Sequence, residues 1–102
     1  MKFQTTPAFE KDVRRLKRRG DFETFRAVVQ ERFVPGAERH VEHPGESWPA
    51  SLRVKDVEGA RGVWEMTWEM PDGRATFEWV EIDGETGIRW RRVGTHSIFN
   101  EP

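Results

Sequence analysis

The sequence predicts an α+β domain: two N-terminal helices packed on a mostly antiparallel sheet of four or five strands. Three observations carry this. Apolar residues recur at helical spacing through the first third, at Phe9, Val13 and Leu16 and then at Phe22, Phe25, Val29 and Phe33. The period changes to two in GVWEMTWEM, which puts Trp64, Met66, Trp68 and Met70 on one face and Glu65, Thr67 and Glu69 on the other. Turn residues at Pro71, Asp72 and Gly73, and again from Asp83 to Gly87, divide the remainder of the chain into consecutive antiparallel strands. At 102 residues there is room for one domain, spanning 1–102.

Each element has a local reason. Residues 2–5 form a short candidate strand. Thr6 and Pro7 read as helix cap and first helical residue, and the helix runs to about Arg19, with Lys11, Arg14, Arg15 and Arg18 on the face away from its apolar stripe. Gly20 can take the left-handed conformation that ends a helix, and Asp21 can cap the next. Pro35, Gly36, Pro44, Gly45 and Pro49 predict a long loop over 35–51. Leu52, Val54 and Val57 open the sheet, GVWEMTWEM continues it, and Arg74 to Ile82 and Ile88 to Val93 complete the meander.

Composition narrows the chemistry. With no cysteine there is no disulfide, thiol nucleophile or Cys-ligated metal, and three scattered histidines leave little for another metal cage. Neither a signal peptide nor a membrane span is present in the pattern, so the chain reads as cytoplasmic, with no membrane partner. Twelve aromatics, 7 Phe and 5 Trp, supply large buried areas to a small core. The net charge of −1 conceals strong segregation. Lys11 to Arg19 carries six cations against Asp12 alone; Asp56 to Glu85 carries nine acids against Arg61 and Arg74; positive charge returns at Arg89, Arg91 and Arg92. Opposite fields on one small domain suit separate partners, phosphates or an acidic protein at the basic faces.

There is no Gly-rich phosphate loop, paired metal ligand set or nucleophile elbow. What remains suits a metal-free reaction on a phosphodiester: one group that moves protons near neutrality, and fixed cations for the charge of the pentavalent transition state. RNA brings its own nucleophile, the 2′-hydroxyl. His96, directly after the basic RWRR strand, is the best placed proton carrier, because an unperturbed imidazole keeps both protonation states populated near pH 7. A hydrogen-bonding structural role is the other use of a histidine at a strand end.

The order helix, helix, proline-rich loop, strand, hairpin and terminal WRRVGTHSIF resembles the RelE/ParE toxin superfamily of type II toxin-antitoxin systems, and most of all its YafQ-like branch. The resemblance spans nearly the whole chain, including the basic first helix and LRVKDVEGARGVWEM. It implies a RelE-like fold and a metal-independent endoribonuclease without cofactor, which cleaves mRNA, usually on the ribosome, and is neutralised by a cognate antitoxin protein. On the ParE branch the same fold instead poisons DNA gyrase, and a third possibility is an inert homologue that only binds antitoxin.

By position, His96 resembles the C-terminal catalytic histidine and Phe99 the aromatic that orders a nucleotide or that histidine. Arg74 resembles a phosphate-stabilising position and Asp72 a neighbouring acid; Lys55 and Arg61 resemble basic substrate-binding positions, and His43 an upstream histidine in a His-Pro context. With Arg91 as a second phosphorane-stabilising cation, the implied catalytic set is His96, Arg74 and Arg91, with Lys55, Arg61, Phe99, His43 and Asp72 binding substrate. His43 and Asp72 both stand open as the general base. Other uses compete: Phe99 as a cover for the sheet edge, Arg74 paired to Glu65 or Glu78 across strands, Arg91 as a solvated cation, His40 as a loop residue, and Trp64 and Trp68 as core. Two features depart from the family pattern: a slightly negative net charge and the absence of tyrosine.

Overall fold

The computed structural model describes residues 1–102. A five-stranded sheet in the order β1-β5-β4-β3-β2 is built from β1 (Lys2–Thr5), β2 (Lys55–Asp56), β3 (Trp64–Glu69), β4 (Gly73–Ile82) and β5 (Glu85–Gly94). β2 to β5 pair antiparallel, and β1 adds to β5 in parallel. One face is covered by α1 (Pro7–Arg19), α2 (Phe22–Val28) and α3 (Val34–Glu42).

The helix α1 starts as its residues dictate: Thr6 accepts a hydrogen bond from the Phe9 N–H at 3.1 Å, Pro7 occupies the first turn, and Gly20 closes the helix at φ 81°. The same helix finishes the edge of β5, since β1 stops at Thr5. Thr6 N–H bonds to the Trp90 carbonyl, Thr6 Oγ1 donates to the Arg91 carbonyl at 2.8 Å, and buried Asp12 accepts the Val93 N–H at 3.1 Å. Asp12 also takes two hydrogen bonds from Arg92, 2.6 and 3.2 Å. That bond holds Arg92 further above its ordinary pKa, and the pair satisfies a carboxylate that burial would otherwise penalise.

The second helical region corrects the expectation. Asp21 makes no side-chain cap and instead pairs with Arg19 at 3.1 Å. Residues 35–51 are not one loop: after α2 the chain passes through a π-helical turn, Val29–Phe33, straight into α3, which continues to Glu42. Pro35 sits in the first turn of α3, where its missing N–H is least costly. Gly36 serves packing rather than a turn, because a Cβ there would lie 3.0 Å from Pro49 Cδ and 3.2 Å from Trp48 Cε3. His40 is therefore a helical residue, its ring stacked on Trp48 and Trp79 with centroids 5.4 and 5.5 Å away.

The core is aromatic. Phe9, Phe25 and Phe33 from the helices meet Trp68, Phe77 and Trp90 from the sheet, with ring centroids 4.6 to 6.2 Å apart, inside the range in which tilted pairs attract. Trp64 packs partly buried against this cluster, so both tryptophans of β3 belong to the core. The alternation in β3 ends at a bulge between Thr67 and Glu69, which leaves Met70 exposed beyond the strand. Leu52 and Val57 are buried, but only Lys55–Asp56 pairs as β2. A second bulge in the β4–β5 ladder sets Thr76 opposite Arg92 and Phe77 opposite Trp90, so that Arg91 has no partner across the ladder.

Candidate active site

The β3–β4 turn and the end of β5 meet at one end of the sheet. Gly73 is required there: a Cβ would lie 2.9 Å from Glu69 Cβ, Glu69 N and Trp68 Cδ2. Trp68 also donates its indole N–H to the Arg74 carbonyl at 2.9 Å, fixing the start of β4. With the turn so held, Asp72 reaches across to the residue that follows β5. Thr95 caps the short 3₁₀ turn His96–Asn100 by accepting the Ser97 N–H, which orients His96 toward Asp72.

Asp72 Oδ1 lies 2.6 Å from His96 Nδ1 and 3.2 Å from the His96 backbone nitrogen. The side-chain bond from His96, with the backbone N–H bond beside it, holds the Asp72 carboxyl below its ordinary pKa. An ionised carboxylate can only accept, so Nδ1 carries the hydrogen and Nε2 is left free to accept or deliver a proton. The histidine side chain is 74% exposed, so that Nε2 is open to a macromolecular substrate. Beside the pair is a cleft of about 210 Å³ lined by Arg19, Trp68, Met70, Asp72, Gly94 and Thr95.

The structure joins Asp72 to His96 and places Arg74 next to them, opposite Gly94 in the ladder. Arg74 pairs with neither Glu65 nor Glu78; its guanidinium donates to the Gly73 carbonyl at 3.1 Å. Arg91 lies further along the same face, bound to Glu78 at 2.6 Å and to the Pro102 main-chain oxygen at 3.1 Å. Glu78 also accepts from Arg89 at 2.5 Å. Burial works to raise the Glu78 pKa, but the bonds from Arg91 and Arg89 outweigh it and hold the carboxyl below its usual range. Phe99 is half-buried in the 3₁₀ turn three residues past His96.

Three of the expected substrate-binding residues are not drawn into this group. Lys55, on β2, reaches toward Glu65 at 3.8 Å, and Arg61 is exposed in the turn before β3. His43 follows α3, which packs at the far end of the hairpin where His40 stacks on Trp79. Trp79 is six residue steps along β4 from Gly73, about 20 Å at 3.3 Å per step. Sequence reading missed the partners of Arg91: Glu78 and the Pro102 main-chain oxygen, which Thr76 also holds. The alternation of Arg74, Thr76 and Glu78 along β4 could have shown that Thr76 and Glu78 share a face with Arg74. No three His, Asp or Glu side chains converge in a way that would hold a metal ion.

Solved structures share this architecture. The YafQ toxin of Escherichia coli, in its complex with DinJ, superposes with a TM-score of 0.60 at 18% identity over 94% of this chain and 92% of that one. The YoeB/ParE toxin from Agrobacterium tumefaciens gives 0.63 at 13% identity over 94% and 99%. HP0892 from Helicobacter pylori gives 0.56 at 21% identity over 95% and 96%. By sequence, no family model and no curated protein matches the chain. The similarity therefore defines the fold, and no helix is long and apolar enough to cross a membrane.

Proposed function

We propose that this chain is the toxin of a type II toxin-antitoxin pair, a metal-independent endoribonuclease that cleaves mRNA on the ribosome, arrests translation and is neutralised by a cognate antitoxin. The observation that carries the reading is the Asp72–His96 pair, 2.6 Å long, exposed beside a cleft and bordered by Arg74. The fold shared with YafQ and YoeB/ParE toxins supports it.

In this reading the 2′-hydroxyl attacks the adjacent phosphorus and loses its proton to solvent. The bond from phosphorus to the 5′-oxygen breaks, and His96 Nε2 protonates that oxygen as it leaves. The products are a 2′,3′-cyclic phosphate and a 5′-hydroxyl. Asp72 fixes the tautomer and stabilises the imidazolium that supplies the proton, a role that suits its lowered pKa better than that of general base. Arg74 and Arg91 stabilise the phosphorane, Phe99 orders the nucleotide, and Lys55 and Arg61 bind phosphates away from the centre. His43, at the other end of the sheet, is left without a part in proton transfer.

A second reading, a gyrase-directed toxin, is favoured by one observation: Glu78 neutralises part of the charge of Arg89 and Arg91 on the candidate RNA face. Conditional expression of wild type beside His96→Ala, with new RNA 5′ ends mapped within minutes, separates the two. Growth arrest with message cleavage that needs His96 supports the nuclease. Arrest with a DNA-damage response and intact messages selects the gyrase reading, and no arrest overturns both.

A further inference from the structure

The sheet face that carries Arg74 also carries two donors aimed at one oxygen. Thr76, fully buried, donates its hydroxyl to the Pro102 main-chain oxygen at 3.0 Å, and Arg91 Nε donates to the same atom at 3.1 Å. Arg92, itself fixed by Asp12, holds the neighbouring Glu101 carbonyl at 2.9 Å. The segment that makes these bonds leaves His96, anchors through Ile98, which is buried against Gly94, and runs back over the face. A main-chain oxygen of the chain thus fills a place where a guanidinium and a hydroxyl converge, the donor set that recognises a phosphate oxygen.

The position is specific. Thr76 is two residues beyond Arg74 on β4, about 7 Å along the strand, on the face shared with Glu78 and Arg89. The bulge at Arg91 is what turns its guanidinium to the Pro102 oxygen that Thr76 also holds, as well as to Glu78. Arg89 shares the single carboxylate of Glu78 with Arg91, so this cluster keeps a net positive charge when the segment is lifted.

We propose that Thr76 and Arg91 form a binding site for a backbone phosphate of single-stranded RNA, and that the segment Ile98–Pro102 is an internal competitor that occupies it until substrate displaces the Pro102 oxygen. The proposal rests on the ribonuclease reading and adds a regulated subsite to it. Pro102 leaves the site while Ile98 stays anchored, so the 3₁₀ turn holding His96 is undisturbed.

The test is fluorescence anisotropy with a 2′-O-methyl oligoribonucleotide, which cannot be cleaved, against the full chain, a chain lacking Glu101 and Pro102, and a full-length Glu101→Gly, Pro102→Gly chain. Removing the competitor is expected to tighten binding about tenfold, the worth of one charge-assisted hydrogen bond. It should also steepen the dependence of log affinity on log salt by about 0.7, one more neutralised phosphate. The double-glycine chain should fall between, and Thr76→Val in the shortened chain should remove most of the gain. Unchanged affinity and salt slope, with His96-dependent cleavage intact in the full chain, overturns the competitor and leaves the nuclease standing. Absence of both RNA binding and cleavage in every chain overturns the two together.

Discussion

The two faces of the sheet solve different problems with the same strands. On the helix side Phe77 and Trp90 face each other across the ladder and meet Phe9, Phe25 and Phe33. On the other side, one residue away along each strand, lie Thr76, Glu78, Arg89 and Arg91. Alternation alone separates them, so a single bulge at Arg91 serves both. It returns Val93 to the core and turns a guanidinium toward the open face. Stability is concentrated where no substrate can reach, and the polar face is free to keep exposed, ionised groups.

Changes on the helix face should therefore lower stability most. Phe33 is fully buried and lies within 5.3 Å, centroid to centroid, of Trp48, Phe77 and Trp90. Phe33→Ala should cost about 3 to 5 kcal/mol in urea unfolding; a loss below about 1 kcal/mol would show that the aromatic cluster repacks freely. Next comes the seam between helix and sheet. Asp12→Ala leaves Arg92 and the Val93 N–H without their partner, with an expected cost of about 3 kcal/mol. Combining it with Arg92→Met should recover part of that loss if the unpaired guanidinium is its cause.

At the active end the effects pass from stability to chemistry. Gly73→Ala forces Trp68 and the Glu69 backbone apart, at about 1 to 3 kcal/mol, and should weaken cleavage further by moving Asp72. Asp72→Asn should have the smallest effect on folding. The carboxyl is held below its ordinary value of 3.8, so the folded chain binds fewer protons there than the unfolded one. Its contribution is present above that pH and is lost as pH falls through the lowered folded value. Urea midpoints of wild type and Asp72→Asn should thus differ more at pH 7 than at pH 3; an equal difference at both would place the effect elsewhere.

How much of the molecule is legible in its sequence depends on the range of the interactions. Thr6, Pro7, Gly20 and the period-two run through β3 act locally, and the structure follows them. Pro35 and Gly36 mislead because their roles are set at a distance: one fits a first helical turn, the other makes room for Trp48 and Pro49, thirteen residues on at the nearest atom. Asp12 with Arg92, separated by 80 residues, has no sequence signal at all. Asp72 and His96 are each visible as reactive side chains near a turn and a strand end, but their pairing depends on the antiparallel hairpin that brings those two points together.

The most direct test of the active face is cleavage of a defined mRNA on programmed ribosomes by purified wild type, His96→Gln and Asp72→Asn, with each unfolding midpoint measured alongside. His96→Gln is expected to lose at least about a hundredfold in rate, the scale of general acid catalysis, and Asp72→Asn somewhat less, with both chains still folded at pH 7. Cleavage by His96→Gln at the wild-type rate would contradict the assignment of His96 as the proton donor.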